Sequence, residues 1–241
     1  MYTSMVTLKH PGQTMAKKNL EEIAYDAIMK LIFEHHFKPG DLLLETELTE
    51  MLKMRSRTPV RHALTRLEAR GFIIKMKKKG CMIPSPSPED AKAVFFAREH
   101  IEGLNAASAA ENCLPEDIVD LRRVVEKESE HGSIGNKVAY SKVNEAFHSE
   151  VAKKSKNKYL FQYSRHIFWR SSYYTFFFES YYTHKTDYQQ HMQAPLQHLA
   201  IIDAIENKDT GKAEELMKAH IRNSYDEIFS RISMHPADRF F

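Results

Sequence analysis

The sequence predicts a mostly α-helical chain in two parts: a basic N-terminal part that ends in a small β-hairpin, and a C-terminal bundle made of helices alone. Apolar residues recur at helical spacing along most of the 241 residues. Residues 1–87 carry 15 basic and 9 acidic side chains, whereas residues 88–241 carry 20 and 23. Prolines at positions 84, 86 and 88 separate the two parts, because proline excludes regular helix.

Composition narrows the class of protein. Hydrophobic residues make up 42% of the chain and charged residues 28%, which is ordinary for a globular protein and too apolar for a disordered one. No apolar stretch is long enough to span a membrane, and the N-terminus lacks the apolar segment of a signal peptide. We therefore expect a cytoplasmic protein without a membrane partner. Cys81 and Cys113 fit neither a disulfide framework nor a zinc ribbon.

The chain divides into five predicted segments. Ser87 fits a helix N-cap, Pro88 the first helical position and Glu89 the acidic first turn, so a second domain begins where the proline-rich stretch ends. The segments are a flexible arm over 1–17, a first domain over 18–83, a linker over 84–88, an all-helical domain over 89–232 and a tail over 233–241.

The first domain contains three predicted helices, over residues 18–36, 46–53 and 57–69. Ser56 fits the N-cap of the third helix, Pro59 its first turn, and Gly71 its end. Residues 72–76 and 81–84 then bracket the sequence KKKG like two strands around a tight turn. Two helices, a turn, a third helix and a two-stranded wing form a winged helix-turn-helix.

Positive charge is concentrated in the third helix and the wing. From Lys53 to Lys79 there are ten basic residues and one acid, Glu68. Arg57 and Arg61 are four residues apart and share a helix face, and the planar arginine side chain matches the N7 and O6 acceptors of guanine. Charge alone would fit a solvated basic face equally well. The N-cap, the two arginines and the basic turn together favour binding to double-stranded DNA.

Nine residues are predicted to contact DNA. The hydroxyl groups at the start of the third helix reach a phosphate or a base edge, and the lysines of the turn hold the wing against the backbone or the minor groove. The set is Arg55, Ser56, Arg57, Thr58, Arg61, Lys77, Lys78, Lys79 and Gly80.

The second domain is predicted to be an all-α bundle of antiparallel helices with short loops. Asp209 fits the N-cap of the last helix. The helices cover residues 88–111, 115–130, 137–154, 157–181, 190–206 and 210–232.

Three histidines in this bundle lie on inward-facing helix surfaces: His148, His198 and His220. A single histidine on an apolar face is usually a satisfied core residue. Three of them on separate helices also suggest a metal site, because imidazole is a common ligand of zinc, nickel and iron. Asn144 shares a helix face with His148. Sequence spacing alone does not show whether these side chains converge.

Residues 159–182 are unusually rich in aromatic side chains. Packing in the core and between subunits is the favoured interpretation. The alternative is a pocket wall that selects a ligand, with Arg165 or Arg170 pairing with an acid group.

The stretch ELTEMLKMRSRTPVRHALTRLEARGFI (47–73) resembles the signature of the GntR family of bacterial transcription regulators. The matching residues are Ser56, Arg57, Thr58, Pro59, Val60, Arg61, Ala63, Leu64, Leu67, Glu68 and Gly71. The resemblance implies that Arg57 and Arg61 read guanines and that Gly80 sits at the wing tip. Two departures, the extra Arg55 in the turn and His62 in place of a frequent acid, affect operator preference.

Four stretches resemble, in order, the landmarks of the FCD domain, the helical effector domain of the FadR subfamily. They are REHIE at 98–102, NEAFH at 144–148, HLAIIDAI at 198–205 and MKAHI at 217–221. The resemblance implies a divalent metal (Zn, Ni or Mn) on His148, His198 and His220, a carboxylate effector held with its help, and Arg98 at the pocket. Asn144 stands where an aspartate is usual, and an amide oxygen is the weaker ligand.

The sequence therefore predicts a ligand-responsive repressor that binds a palindromic operator as a homodimer and responds to a small carboxylic acid. The alternative is a metal-dependent enzyme whose three-histidine site activates water, tethered to DNA by the basic domain. No acid is placed by a motif beside the histidines, and no HExxH stretch, nucleophile elbow or phosphate loop occurs. We therefore predict no enzymatic activity.

Overall fold

The computed structural model describes residues 19–77, 79–85, 87–133, 137–178 and 193–232. The predicted N-terminal arm and C-terminal tail lie outside these residues. Within them, the chain has the predicted architecture of a winged helix-turn-helix followed by an all-α bundle. No helix in this described part is both long and apolar enough to cross a bilayer.

The N-terminal module (residues 19–83) contains helices α1 (Leu20–Phe33), α2 (Glu45–Met51) and α3 (Thr58–Ala69). Three antiparallel strands accompany them: β1 (Leu42–Leu43), β2 (Ile74–Met76) and β3 (Gly80–Met82), in the order β1-β3-β2. The sequence predicted the β2–β3 wing but not β1, which pairs Leu42 with Met82 and Leu43 with Cys81. Two residues are too few to show the alternating pattern of a strand.

The ends of α1 and α3 follow from local sequence, with one departure from prediction. Asn19 caps α1 by accepting a hydrogen bond from the backbone N–H of Glu22 at 2.8 Å. The predicted cap of α3 was Ser56, but the helix begins at Thr58, and Arg57 is the capping residue. Ser56 Oγ accepts only a long bond from the Thr58 N–H, at 3.3 Å. Gly71 ends the helix with a φ of +72°, a conformation that glycine adopts without strain.

The C-terminal bundle (residues 88–232) consists, in its described residues, of helices joined by short connections, without a strand. Its helices are α4 (Pro88–Asn112), α5 (Pro115–Ser133), α6 (Lys137–Lys154), α7 (Lys158–Ser172), α8 (Gln193–Glu206) and α9 (Thr210–Ile232). Ser87 caps α4 by accepting from the Asp90 N–H, and Asp209 caps α9 by accepting from the Lys212 N–H, as predicted. Helix α4 is central and packs against α6, α7, α8 and α9.

Helix α7 does not continue as an α-helix to residue 181. A π-helical segment, Tyr173–Phe178, follows it, and the remaining predicted residues lie outside the described part. Tyr173 and Tyr174 are buried, and both side chains reach the linker region. The Tyr173 hydroxyl donates to the Pro84 carbonyl at 2.5 Å, and the Tyr174 hydroxyl donates to Asp90 Oδ2 at 2.6 Å.

The module and the bundle share one continuous core. The ring of Phe72, just after α3, packs edge-on against Phe33 in the module at 6.5 Å and against Trp169 in the bundle at 6.2 Å. Arg170 donates from Nη1 to the Gly71 carbonyl at 2.9 Å. The two parts are therefore in direct contact, in addition to the linker that joins them.

Candidate functional site

The predicted DNA-contacting residues form an exposed surface at the start of α3, which we call the recognition face: Arg55, Ser56, Arg57, Thr58 and Arg61. All five are exposed. Lys77 and Lys79, in the turn between β2 and β3, are exposed as well. Lys78 lies outside the described residues. Exposed basic side chains are thus present both at the N-terminal end of α3 and in the wing turn.

Arg61 is held in place by Glu45 at the start of α2. Its Nε and Nη2 atoms donate to the Glu45 carboxylate at 2.9 to 3.1 Å in a bidentate pair. The hydrogen bond from Arg61 lowers the pKa of Glu45. Because this pair is exposed to solvent, we expect it to orient Arg61 rather than to stabilise the fold appreciably. Reading a guanine with the same fork requires Arg61 to leave Glu45 in part.

Gly80 lies at the base of the wing turn and not at its tip. It is the first residue of β3, paired with Met76, and its φ is +91°. A Cβ atom at this position would lie 3.0 Å from the carbonyl oxygen of Leu43. Glycine is therefore required by the backbone of the wing, whereas Lys77 and Lys79 occupy the turn itself.

Two further arginines of this region face inward. Arg66 donates to Glu22 Oε2 at 2.6 Å and lies over the Tyr25 ring, with its Cζ 4.1 Å from the ring centroid. Arg70 lies between Tyr25 and Trp169. Not every basic residue in the charged span is thus available to DNA.

The three histidines converge. His148 on α6, His198 on α8 and His220 on α9 are buried, and one ring nitrogen of each lies within 4.8 Å of the others. We call them the histidine cluster. The Nε2 atoms of His198 and His220 are 3.2 Å apart. Phe147 stacks on the His198 ring at a centroid distance of 3.8 Å.

Hydrogen-bond partners assign the tautomers of the cluster. His198 Nδ1 lies 2.7 Å from Glu128 Oε2, and His220 Nδ1 lies 2.7 Å from Gln197 Oε1. Both partners are acceptors, so each Nδ1 carries a proton and each Nε2 has its lone pair directed into the cluster. Two lone pairs at 3.2 Å repel each other. A cation bound between the two Nε2 atoms would relieve this repulsion.

His148 makes its contacts with α4. Arg98 Nη2 donates to His148 Nε2 at 3.0 Å, and Arg98 Nε donates to Glu102 Oε1 at 2.6 Å. His148 Nδ1 also lies 2.5 Å from Glu102 Oε2, within ion-pair distance. Burial lowers the pKa of His148 to about 4. Burial alone would raise the pKa of Glu102, but Arg98 and His148 outweigh it and hold that pKa at about 2.

Asn144 contacts the cluster through Glu128. Its amide nitrogen donates to Glu128 Oε1 at 3.1 Å. The side chain of Glu128 is fully buried, and burial opposes its ionisation, but the His198 contact and the Asn144 hydrogen bond lower its pKa. An aspartate at position 144 would face this carboxylate with a second negative charge. An asparagine at position 144 is therefore the residue that suits Glu128.

A small cavity opens beside the cluster. Its volume of roughly 10 Å³ is enough for about one water molecule. Arg165 lines it, and Arg98 lies next to it through Glu102 and His148, whereas Arg170 lies at the contact with Gly71 and Asp90. The lining residues are Glu102, Glu145, His148, Ser149, Ser164, Arg165, Phe168 and Trp169.

Three residues that orient the cluster were not singled out from the sequence: Glu102, Glu128 and Gln197. Glu102 follows Arg98 by one helical turn, which is a usable signal for an ion pair. Glu128 has no such signal, because its partners are 16 and 70 residues away in the sequence. Gln197 lies beside His198 but bonds to His220 on another helix.

Comparison with protein families agrees with this geometry. Residues 20–83 match the family described as bacterial regulatory proteins, gntR family, and residues 93–223 match the FCD domain. The FCD match alone covers more than half of the chain. The chain belongs to the GntR family. It is a GntR-type transcription regulator that carries a DNA-binding winged helix and an effector-binding FCD domain.

Relatives of this GntR-family chain span nearly its whole length. It is 27% identical over 198 residues to the Nta operon transcriptional regulator of Aminobacter aminovorans, covering 82% of this chain and 89% of that protein. Its fold matches E. coli McbR/YncC with a TM-score of 0.72 at 18% identity, over 90% of this chain and 100% of the other. A GntR regulator from Rhodococcus sp. RHA1 matches with a TM-score of 0.65 at 18% identity, over 87% and 97%.

The two families and these relatives are transcription regulators and not enzymes. This decides against the alternative of a metal-dependent enzyme.

Proposed function

We propose that the protein is a member of the FadR subfamily that binds a palindromic operator as a homodimer and represses transcription until a small carboxylic acid binds its FCD domain. The observation that carries this proposal is the exposed recognition face, with Arg57 and Arg61 at the start of α3, together with the exposed lysines of the wing turn. These side chains are not needed to fill the core, and they match the acceptors of guanine and phosphate.

A homodimer is proposed because one winged helix makes few contacts with DNA. Two heads related by a two-fold axis read two half-sites arranged as an inverted repeat, which multiplies both affinity and specificity. Selection of bound sequences from random DNA should therefore return an inverted repeat, and sedimentation of the complex should show two protein chains per duplex. Recovery of single, unpaired half-sites by a monomer would contradict the proposal.

A divalent metal is proposed for the histidine cluster, because its donor set fits one. His198 and His220 each direct Nε2 inward while Nδ1 is held by Glu128 or Gln197, and such hydrogen bonds orient imidazole rings that bind a metal. His148 completes a set of three nitrogen ligands, provided that Arg98 releases its Nε2 atom. When bound, such a metal supplies a Lewis acid for a carboxylate oxygen.

The proposed effector is a small carboxylate held between this site and the arginines Arg98 and Arg165. Arg98 is buried and already paired with Glu102, so an effector carboxylate competes with Glu102 for the guanidinium. The cavity has room for about one water, so effector binding must also move its walls.

Elemental analysis tests the metal, and a thermal-shift screen of carboxylic acids with and without that metal tests the effector. We expect about one zinc, nickel or manganese ion per chain at neutral pH, and none in the triple variant H148A/H198A/H220A. If the purified protein takes up no metal and the triple variant keeps its response to an acid, the histidines serve packing alone.

A further inference from the structure

The end of α3 rests on the outer side of the effector cavity. Trp169 and Glu145 both line that cavity, and Arg70, the residue directly after α3, contacts both of them. The Arg70 Cζ lies 3.4 Å from the Trp169 ring centroid, and Arg70 Nη2 lies 3.9 Å from Glu145 Oε1. Trp169 and Glu145 thus each contact the cavity on one side and Arg70, at the end of α3, on the other.

Arg70 is fixed to its own module as firmly as to the bundle. Its Nη1 donates to the Tyr25 hydroxyl on α1 at 2.5 Å, and its guanidinium also lies over the Tyr25 ring. Its backbone N–H donates to the Arg66 carbonyl at 3.2 Å, which makes it the cap of α3. A displacement of the Arg70 guanidinium therefore acts on α1 and on the end of α3 together, and the part that the side chain does not absorb moves α3 as a rigid element.

The walls of the cavity differ in how firmly they are held. Glu102, His148 and Phe168 are buried inside the bundle, and the first two are joined by Arg98. Glu145 keeps 24% of its side chain exposed, and its ion pair with Arg70 is long. A ligand larger than one water displaces some wall where the lining is packed, and Trp169 and Glu145 are the wall residues whose contacts with Arg70 reach the N-terminal module.

We propose that Arg70 is the positioning residue through which the cavity controls α3: an occupant displaces Trp169 and Glu145, and Arg70 passes the displacement to the recognition face. The inference rests on the proposed function, since it assumes that α3 reads DNA and that the cavity takes the effector. A ligand can act through this contact only if the cavity binds it more tightly in one arrangement of the N-terminal module than in another. The difference between the two binding free energies is the largest effect that the ligand can have on DNA binding.

A substitution that fills the cavity with a larger side chain tests the proposal without knowledge of the effector. Ser149 lines the cavity from α6, so Ser149→Met fills it, and Ser164→Leu does so from α7. The full-length protein is used, with operator affinity measured by fluorescence anisotropy of labelled DNA. Trp169, the only tryptophan in the sequence, reports on its surroundings by its own emission. Thermal unfolding verifies that each variant is folded.

Each filling substitution is expected to change the operator Kd at least about 5-fold, the lower end of typical allosteric coupling, and to shift the Trp169 emission. In an Arg70→Met background, which keeps the stem of the side chain but loses the guanidinium, the change in Kd should fall below about 2-fold. Arg66→Met is the matched control. It removes a guanidinium one turn earlier on the same helix without touching the cavity wall, so the response should remain.

Two results would overturn the inference. One is a pair of folded filling variants, Ser149→Met and Ser164→Leu, that leave both emission and Kd unchanged. The other is the same fold-change in Kd with and without Arg70. Failure of the proposed function looks different, because unmodified protein would then select no DNA sequence at all. The contact is tested in that case by hydrogen exchange of the α3 amides, which filling should alter in the Arg66→Met protein but not in the Arg70→Met protein.

Discussion

The recognition face and the histidine cluster are both polar, but they are built in opposite ways. Arg57 and Arg61 project from the surface of α3, and Glu45 is the one side chain that holds Arg61 in the described structure. His148, His198 and His220 are buried, and each has a bonded partner inside the bundle. The first site is added to a fold that does not need it, whereas the second is part of the core of its domain.

This contrast predicts where substitutions act. Truncating a side chain of the recognition face should weaken DNA binding. It should leave the free energy of unfolding almost unchanged, because exposed ion pairs contribute little to stability. A side chain of the cluster that is truncated leaves buried polar groups without partners, so it should destabilise the bundle before it affects any ligand. The four predictions below test this contrast.

The largest expected effect is that of Glu128→Ala. Its carboxylate is fully buried and accepts from both His198 and Asn144, so its removal leaves two polar groups without their acceptor. The free energy of unfolding, measured by urea denaturation, should fall by about 3–5 kcal/mol. Glu126→Ala, an exposed acid on the same helix, is the control. A loss below 1 kcal/mol would show that the cluster is not integral to the core.

Zinc should stabilise the folded protein. At a free concentration of 100 times Kd, a metal that binds only the folded state adds about 2.7 kcal/mol, seen as a rise in Tm that a chelator reverses. His198→Ala should abolish the rise, since it removes one of the three nitrogen ligands of the cluster. His166→Ala removes an exposed histidine on α7 and should leave the rise intact. An equal rise in both variants would place zinc elsewhere.

Arg61→Ala should cost about 1–3 kcal/mol of operator affinity and relax the preference for one base pair in each half-site. Its urea midpoint should stay that of the unmodified protein. Arg123→Ala, an exposed arginine on α5, serves as the control for a lost positive charge far from the recognition face. If operator and random DNA bound the Arg61 variant as tightly as before, α3 would not read the operator through this residue.

The smallest expected effect is the pH dependence of the Glu45–Arg61 pair. Because the hydrogen bond from Arg61 lowers the pKa of Glu45 below 4.5, the pair's contribution to stability is present above that pH. It is lost as the pH falls through the lowered pKa in the folded state. Solvent exposure keeps this loss small. Glu45→Gln should remove this part of the acid dependence, and an unchanged slope between pH 5 and pH 3 would contradict the assignment.

Most of the helical architecture was predictable because it depends on neighbouring residues. Helix α4 was predicted over 88–111 and spans Pro88–Asn112. Its start was predictable because the N-cap and the first turn are formed by consecutive residues of the sequence. The short strand β1 and the π-helical segment after α7 were not predicted. Strand β1 exists only through its pairing with β3, and the predicted helix was continued through Tyr173–Phe178 because its aromatic pattern also suits an α-helix.

The sequence by itself determined the residue types available to each site: arginines at the start of α3, lysines in the wing turn, and histidines on the inward faces of three helices. The tertiary structure alone decided which side chains contact these residues. It placed Glu45 against Arg61, Glu128 against His198, and Arg70 on the outer wall of the cavity. Glu45 and Arg61 are 16 residues apart in the chain, and Glu128 and His198 are 70 apart. Arg70 and Trp169, which it contacts in the cavity wall, are 99 apart. Helical periodicity says which face of a helix turns inward, but only packing between helices determines which side chains meet there.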